Sequence, residues 1–199
     1  MAIIKGTIGA DVLLGTAQAD QFTINNTGDS IIGGTLQDTV VSTVNSYTLA
    51  DGLGNLILGS GAIAGFGNNY NNIVSGNLRN NTIGGGAGQD ELWGGAGRDT
   101  FVFSHFGDLH ADQIQDFEAG LDKIVLRGSD FGLTAGTVLA YELNRQAQGV
   151  GPTILRYRSA GTSQAIYLDR DGIGGEKAQL LCTLQTWAGA TSASDFAIV

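Results

Sequence analysis

The sequence predicts an all-β fold in which a parallel β-solenoid, residues 1–126, is capped by an antiparallel β region, residues 127–199. Three observations predict it: a nine-residue repeat, a large excess of glycine, and strand-like alternation after about residue 126. The chain has 199 residues, including 32 glycines and a single proline. That length is sufficient for a compact domain with a buried core.

The nine-residue repeat is clearest in two adjacent units, GGAGQDELW at Gly85–Trp93 and GGAGRDTFV at Gly94–Val102. The same spacing extends back to residue 67, and a second array covers residues 6–41. Every sixth position is acidic or an amide, and every eighth position is apolar. The sixth positions are Asp11, Asp20, Asp29, Asp38, Asn72, Asn81, Asp90 and Asp99. The eighth positions are Leu13, Phe22, Ile31, Val40, Val74, Ile83, Leu92 and Phe101.

A period of nine does not fit a helix, where glycine also costs roughly 1 kcal/mol per residue. It suits a turn of about six residues followed by a three-residue strand, since glycine supplies the backbone conformations of tight turns. One apolar side chain per strand then points inward. Two units make one coil of eighteen residues, and stacked coils place parallel strands about 4.8 Å apart.

Sixth positions eighteen residues apart are therefore predicted to stack along each edge of the solenoid. The predicted pairs are Asp11 with Asp29, Asp20 with Asp38, Asn72 with Asp90, Asn81 with Asp99, and Asp90 with Asp108. Stacked carboxylates repel by on the order of 1 kcal/mol or more when partly desolvated. A dication between them reverses that sign, and carboxylate and carbonyl oxygens are the ligands that Ca²⁺ prefers.

The two complete units resemble the glycine-rich nonapeptide G-G-x-G-x-D-x-U-x of the RTX calcium-binding proteins. The resemblance implies a right-handed parallel β-roll with Ca²⁺ held between adjacent turns. Asp99–Leu126 is similar to the segment that closes the roll in serralysin-type proteases and mannuronan epimerase modules. The turn residues that this implies as ligands are Gly85, Ala87, Gly88, Gly94, Ala96 and Gly97. Further candidate ligands in the closing segment are Asp112, Asp116 and Asp122.

Two sets of sixth positions leave alternatives open. Asn72 and Asn81, with Asn71 and Asn80, are suited to hydrogen-bonded asparagine ladders that need no metal. The four aspartates of the first array, whose units lack some glycines, are suited either to calcium or to capping their own turns. Asp90 and Asp99 lie in complete motifs and are predicted calcium ligands.

The charge and composition exclude several classes of function. The net charge is −9, which disfavours binding to nucleic acid or to anionic membranes. No segment approaches the roughly 20 apolar residues of a membrane span. The single cysteine, Cys182, excludes an internal disulfide and is expected to be a buried apolar residue.

Residues 42–66 lose the repeat but keep strand-like alternation, so we expect irregular coils that join arrays 6–41 and 67–102. Residues 103–126 are the predicted closing segment. In the cap, DRDGIGGE is interpreted as a β-turn or as a cation site formed by Asp169, Asp171 and Glu176. The final SDFAIV resembles the uncleaved C-terminal signal of type I secretion substrates. Because the N-terminus lacks the apolar region of a signal peptide, we expect an extracellular protein exported without a cleaved signal.

Catalytic motifs are not found in the sequence, and His105 and His110 lack the spacing of a zinc site. We therefore expect a non-catalytic protein. The first hypothesis is a secreted, calcium-binding structural, matrix or cell-surface protein that folds on Ca²⁺ outside the cell. An uncapped first coil invites homo-oligomers or filaments, unless Ala2–Lys5 covers it. The alternative is a polysaccharide-binding or secretion-carrier module, with anionic glycan at Arg145, Arg156, Arg158 and Arg170. Trp93 is interpreted as an outward surface residue or a sugar-stacking residue.

Overall fold

The computed structural model describes residues 1–104, 111–143, 151–158, 163–172, 177–185 and 190–199. Five residues from the sequence predictions lie outside these ranges: His105, Asp108, His110, Arg145 and Glu176. Within the described residues the chain forms strands and two short 3-10 helices, Gly128–Phe131 and Ala193–Asp195. The predicted all-β class is confirmed.

The solenoid alternates between two facing sheets. The strands of the first sheet are β1 (Ile3–Lys5), β3 (Gln21–Ile24), β5 (Thr39–Ser42), β7 (Asn55–Leu58), β9 (Ile73–Asn77), β11 (Glu91–Gly95) and β13 (Asp112–Ile114). Opposite them lie β2 (Val12–Leu14), β4 (Ser30–Ile32), β6 (Ser46–Thr48), β8 (Ala64–Phe66), β10 (Thr82–Gly84), β12 (Thr100–Phe103) and β14 (Lys123–Leu126). Strands β2 and β4 form a separate two-stranded sheet.

Parallel pairing in the solenoid follows the repeat. Phe22 pairs with Val40 in one sheet and Leu13 pairs with Ile31 in the opposite one. The irregular residues 42–66 supply β6, β7 and β8. In the first sheet β7 pairs with both β5 and β9, whereas on the opposite side β6 pairs with β8 and not with β4. The first sheet is therefore continuous through the region where the repeat is lost, and the opposite sheet is interrupted there.

The coil after β12 is longer than the repeat predicts. Glu91 of β11 pairs with Gln113 of β13, and Thr100 of β12 pairs with Lys123 of β14. The corresponding amide-to-carboxylate bonds span 22 and 23 residues, against 18 in the regular coils. This extra length moves the next acidic side chain along the edge away from the position that the eighteen-residue spacing predicts.

The C-terminal region contains β15 (Ala140–Leu143), β16 (Thr153–Arg158), β17 (Gln164–Asp169), β18 (Gln179–Leu184) and β19 (Phe196–Ile198). Its antiparallel pairs are β16 with β17 and β17 with β18. However, β18 pairs parallel with β13, and β19 pairs parallel with β14. The last coil of the solenoid is thus built from the C-terminal strands, so this region is only partly the antiparallel cap that its alternation predicts.

The core is the space between the two sheets. The predicted inward residues of the second array, Val74, Ile83, Leu92 and Phe101, are fully buried. In the first array Phe22, Val40 and Leu13 are buried, and Ile31 packs against them while partly exposed. Phe101 also contacts Phe117 with ring centroids 6.1 Å apart. No helix among the described residues is long and apolar enough to cross a membrane.

Candidate metal centre

Along each edge of the solenoid, the sixth-position side chain reaches back one coil. Its Oδ1 atom accepts a hydrogen bond from the backbone amide of the sixth-position residue in the preceding coil. Asp38 accepts from the Asp20 amide at 2.7 Å, and Asp29 accepts from the Asp11 amide at 3.0 Å. Asp90 and Asp99 accept in the same way from Asn72 and Asn81, at 2.7 and 2.8 Å. The predicted stacking is therefore present, and it is made by amide-to-carboxylate bonds.

In the first array the second carboxylate oxygen caps its own turn. Asp20 Oδ2 accepts from the amide and the hydroxyl of Thr16, both at 2.7 Å. Asp38 Oδ2 accepts from the Thr35 amide at 2.6 Å. These bonds hold the pKa of Asp20 below its ordinary value, with the Thr16 side chain as the largest cause. Both oxygens of Asp20, Asp29 and Asp38 have donors, and Asp11 Oδ2 accepts from the amide and hydroxyl of Thr7, so this geometry favours the capping interpretation over calcium at all four.

In the second array, two sixth positions carry asparagine, and the amide groups of these side chains form hydrogen bonds to the backbone. Asn72 Oδ1 accepts from the Asn68 amide at 2.7 Å, while Asn72 Nδ2 donates to the carbonyls of Leu53 and Gly54, both at 3.2 Å. Asn81 repeats this arrangement, accepting from the Asn77 amide. An amide NH2 group that donates to carbonyl oxygens satisfies them without a metal. The metal-free interpretation is therefore favoured for both residues, but within the described residues the side-chain hydrogen bonds of Asn71, Asn72, Asn80 and Asn81 go to backbone groups and not from one asparagine side chain to another.

Asn68 and Asn77, which the sequence analysis did not single out, contribute equally to this arrangement. Asn68 Nδ2 donates to the carbonyls of Ala50 and Leu53 at 2.8 and 2.9 Å. Asn77 Nδ2 donates to the carbonyls of Gly59 and Ala62 at 2.7 and 2.8 Å. Both occupy the second position of their nine-residue unit, so asparagine recurring there was the available signal.

Asp90 differs from all of these residues. Its Oδ2 atom is buried and accepts no hydrogen bond from an N–H or O–H donor of the described residues. The oxygen lies against Gly85, where a Cβ atom would be only 2.0 Å away. At Gly86, with φ of 95°, a Cβ would be 2.1 Å from the Asn68 carbonyl oxygen. The first two glycines of this unit therefore make room for a carboxylate and a tight turn, and the carboxylate is left with an unpaired oxygen.

Asp112 is the residue that stacks on Asp90. Its Oδ1 atom accepts from the Asp90 amide at 3.0 Å. The prediction that Asp108 would stack there is wrong in its spacing, because the longer coil brings Asp112 into the ladder position; the structure of Asp108 itself lies outside the described ranges. Burial raises the pKa of both Asp90 and Asp112, and the charge of Asp90 raises that of Asp112 further.

A second acidic group surrounds the other complete motif. Asp122 accepts from the amides of Asp99 and Glu118, at 2.9 and 2.8 Å. Asp116 accepts from the amides of Gly94 and Gly95, at 2.7 and 2.8 Å. Burial raises the pKa of Asp99 to about 6, and the charges of Asp122 and Asp116 add to the rise. Burial also raises the pKa of Asp122.

The backbone of these two turns is also placed by the structure. The carbonyl oxygens of Gly85 and Gly94 face Gly67 and Gly76 of the preceding coil. The amides of Ala87 and Ala96 donate to the carbonyls of Asn68 and Asn77, each at 3.0 Å. Gly88 and Gly97 have φ values of 108° and 119°, which side chains rarely adopt.

The residues present fit Ca²⁺ best at Asp90 and Asp112. A buried, unpaired carboxylate oxygen beside a second buried carboxylate needs either a proton or a cation. The described residues hold no cluster of three or more His, Cys, Asp or Glu side chains arranged for a metal. A cation would therefore need backbone carbonyl oxygens as well as the two carboxylates, a ligand set suited to calcium.

Comparison with protein families shows to which family the chain belongs. The model of the Peptidase M10 serralysin C-terminal region matches residues 19–198. The chain belongs to the serralysin C-terminal family. Among curated proteins, the comparison finds no match.

The serralysin C-terminal family covers the repeat-bearing region of serralysin-type proteases and not their protease domain. The match spans both arrays after residue 18 and the whole C-terminal region. It agrees with the resemblance predicted from the two complete motifs and from the closing segment.

Three other predicted features are placed by the structure. Asp169 accepts from the Gly172 amide at 2.9 Å within a turn, and burial raises its pKa. Cys182 is a buried free thiol whose pKa burial raises well above its ordinary value. Arg156 is buried and donates to Gln164 and Thr191, each at 3.2 Å, so it does not contribute to a surface patch for an anionic glycan.

Proposed function

We propose that this chain is a secreted, calcium-binding RTX-type protein of structural, matrix or cell-surface role that folds on Ca²⁺ outside the cell. The observation that carries the proposal is the buried, unpaired Oδ2 of Asp90 stacked on Asp112. Without a cation the buried charges oppose folding, and with calcium the binding free energy becomes folding free energy. Membership of the serralysin C-terminal family supports this role.

The residues that would hold calcium are Asp90 and Asp112, with carbonyl oxygens of the adjoining turns. Asp99 is a second candidate ligand, whereas Asp116 and Asp122 already accept from backbone amides at both of their carboxylate oxygens. Calcium would supply positive charge between the coils, and the protein supplies the stacked carboxylates and the glycine turns. Asp20, Asp29, Asp38, Asn72 and Asn81 are not part of the proposed set, because protein groups already satisfy their side chains, and Asp11 is not part of it because its Oδ2 atom caps its own turn.

Export is the second part of the proposal. The terminal Asp195–Val199 would serve as a type I secretion signal in the unfolded chain, before calcium is available. In the fold, Phe196 and Ile198 are buried in β19, and Asp195 accepts from the Gly120 amide at 3.0 Å. A non-catalytic role belongs to the same proposal, because the family covers the region outside the protease domain.

Self-association is the third part. Val12, Leu14 and Ile32 are 61%, 64% and 57% exposed on the outer face of the two-stranded sheet. They form an apolar patch, since Leu14 pairs directly with Ile32. Strand β1 pairs with β3 and so covers the edge of that strand in the first sheet, while the edge of β2 on the opposite side pairs only with β4. We expect copies to associate through this patch.

The test is a calcium titration of the chelator-treated protein, followed by circular dichroism, calorimetry and light scattering. β-structure that forms with calcium and is lost on chelation supports the folding role. Asp90→Asn should weaken calcium binding by at least about tenfold, because a charged ligand is lost; Asp38→Asn is the matched control and should weaken it less, through its loss of stability alone. Secondary structure that is indifferent to calcium and chelator would contradict the proposal.

The self-association test uses the same titration. A triple Val12→Ser, Leu14→Ser, Ile32→Ser variant should lower the scattering of the calcium-loaded protein to that of a monomer. Leu78→Ser, at a residue 86% exposed elsewhere, is the control. Equal scattering from the triple variant and the control would remove self-association from the proposal while leaving calcium binding intact.

A further inference from the structure

The outer face of the long sheet carries an exposed aromatic side chain among polar side chains and two exposed isoleucines, Ile57 and Ile73. Trp93 lies on β11 and is 40% exposed, pointing away from the core that Leu92 enters. Its strand neighbour on one side is Ser75 of β9, a short side chain that leaves the indole uncovered. The indole nitrogen donates to Glu91 Oε1 at 2.9 Å, and this bond restricts rotation of the ring.

The uncharged polar groups near Trp93 are amides and hydroxyls. Gln113, the neighbour of Glu91 on β13, accepts at its Oε1 from Gln185 Nε2 at 3.1 Å. Gln185 also accepts from Ser163 at 3.2 Å. A surface cavity next to Glu91 and Gln113 extends to Asn71 and Gln89 at the start of the strands. This combination of an aromatic face with fixed amide groups is suited to a hydroxyl-rich ligand.

Charge selects among such ligands. On the outer face of β5, β7, β9, β11 and β13 the side chains are threonine, valine, asparagine, isoleucine, serine, tryptophan and glutamine, with Glu91 as the charged one. The whole chain carries a net charge of −9. An anionic polymer would be repelled by Glu91 and by the overall charge, whereas a neutral polymer would not.

We propose that this face binds an extended neutral glycan, with one sugar ring stacked on Trp93 and neighbouring hydroxyls bonded to Glu91 and Gln113. The chain of the glycan runs along the solenoid axis, across strands spaced about 4.8 Å apart. Glu91 accepts from a hydroxyl with its second carboxylate oxygen, and the Gln113 amide nitrogen donates. The proposal needs the folded solenoid and does not need a cation at Asp90.

Affinity electrophoresis of the full chain, in calcium, tests the proposal. The gels contain soluble neutral glycans (a cellulose derivative, xylan, mannan and a mixed-linkage glucan) or the anionic alginate and polygalacturonate. We expect retardation by at least one neutral glycan and by neither anionic one. Trp93→Ala should weaken that binding by roughly tenfold, Trp93→Phe should retain most of it, and Gln113→Ala should weaken it less.

Tyr70→Ala is the matched control, because Tyr70 is 46% exposed but lies in a turn outside this face. Circular dichroism of each variant in calcium verifies that it folds. Absence of retardation by every neutral glycan overturns the proposal, as does retardation by the anionic glycans alone. Equal losses in the Trp93→Ala and Tyr70→Ala variants also overturn it. Because folding is measured separately, failure here is distinguishable from failure of the calcium proposal.

Discussion

The backbone amide of Asp90 donates to the carboxylate of Asp112 at 3.0 Å, while the Oδ2 atom of Asp90 stays buried with no donor among residues 1–104 and the other described ranges. The backbone of Asp90 thus bonds to the next coil, while the negative charge of its own side chain is left unbalanced. In the first array the equivalent oxygen of Asp38 is bonded to Thr35. The two arrays share one repeat length, but the Asp38 carboxylate of the first is satisfied by protein donors whereas the Asp90 carboxylate of the second needs a proton or a cation.

Neutralising Asp112 should stabilise the protein when calcium is absent. In Asp112→Asn the amide oxygen still accepts from Asp90, but a buried negative charge is removed. We expect the free energy of unfolding in chelator to rise by about 1 kcal/mol or more. Asp38→Asn should lower it by about 1 kcal/mol, because the Asp38 carboxylate accepts from three donors that an amide satisfies less well. Urea denaturation measures both changes in the free energy of unfolding. Changes of the same sign in the two variants would contradict the distinction between the arrays.

The calcium-free protein should lose stability as the pH rises from about 4 to above 6. Burial raises the pKa of Asp99 to about 6 from an ordinary 3.8, so the folded state binds more protons over that range. Unfolding free energy therefore falls with rising pH there, and Asp90 and Asp112 act in the same direction. The lowered pKa of Asp20 acts oppositely, but only below about pH 4. Thermal midpoints in chelator between pH 5 and pH 8 provide the measurement, and a midpoint that increases with pH would count against it.

The first glycine of each complete motif should be intolerant of a side chain. At Gly85 a Cβ atom would lie 2.0 Å from Asp90 Oδ2 and 2.5 Å from its carboxyl carbon. Gly85→Ala should destabilise the protein by about 1–3 kcal/mol through this overlap. Gly9→Ala is the control, since its Cβ would meet only Thr7 Oγ1 at 3.8 Å. Urea midpoints that shift equally in both variants would show that the space beside Asp90 is not what Gly85 provides.

Replacing an asparagine donor by aspartate should lower the stability of the protein. Asn68→Asp places a carboxylate against the carbonyls of Ala50 and Leu53 in place of two hydrogen bonds. We expect a loss of about 1–3 kcal/mol in chelator, the usual cost of leaving buried polar groups unpaired. Asn69→Asp, at an exposed neighbouring position, should have little effect. A stable Asn68→Asp variant in chelator would show that the amide is not needed there.

The repeat predicts much of the fold because one period determines strand, turn and inward residue together. It places Leu92 and Phe101 in the core and Asp90 and Asp99 on the edges. The spacing from Asp90 to Asp112 could not be predicted, because no residue pattern marks how long an irregular coil is. The parallel pairing of Asp112 with Cys182 lies beyond local patterns as well, since it depends on distant strands meeting. Hydrogen bonding of Asn68 to carbonyls of the preceding coil likewise becomes visible only once the coils are stacked.

The backward reach of each sixth-position side chain gives the stack a polarity. An amide such as that of Asp20 is satisfied only when the coil carrying Asp38 is in place, and Asp38 needs no coil after it to make that bond. A coil that is added to the N-terminal side of the stack has this amide satisfied at once by the coil already present. A coil that is added to the C-terminal side leaves its own amide unpaired until the next coil is added. Removal of a coil from the C-terminal end would expose backbone amides, whereas removal of a coil from the N-terminal end would expose carboxylates. The two ends of the solenoid are therefore not equivalent.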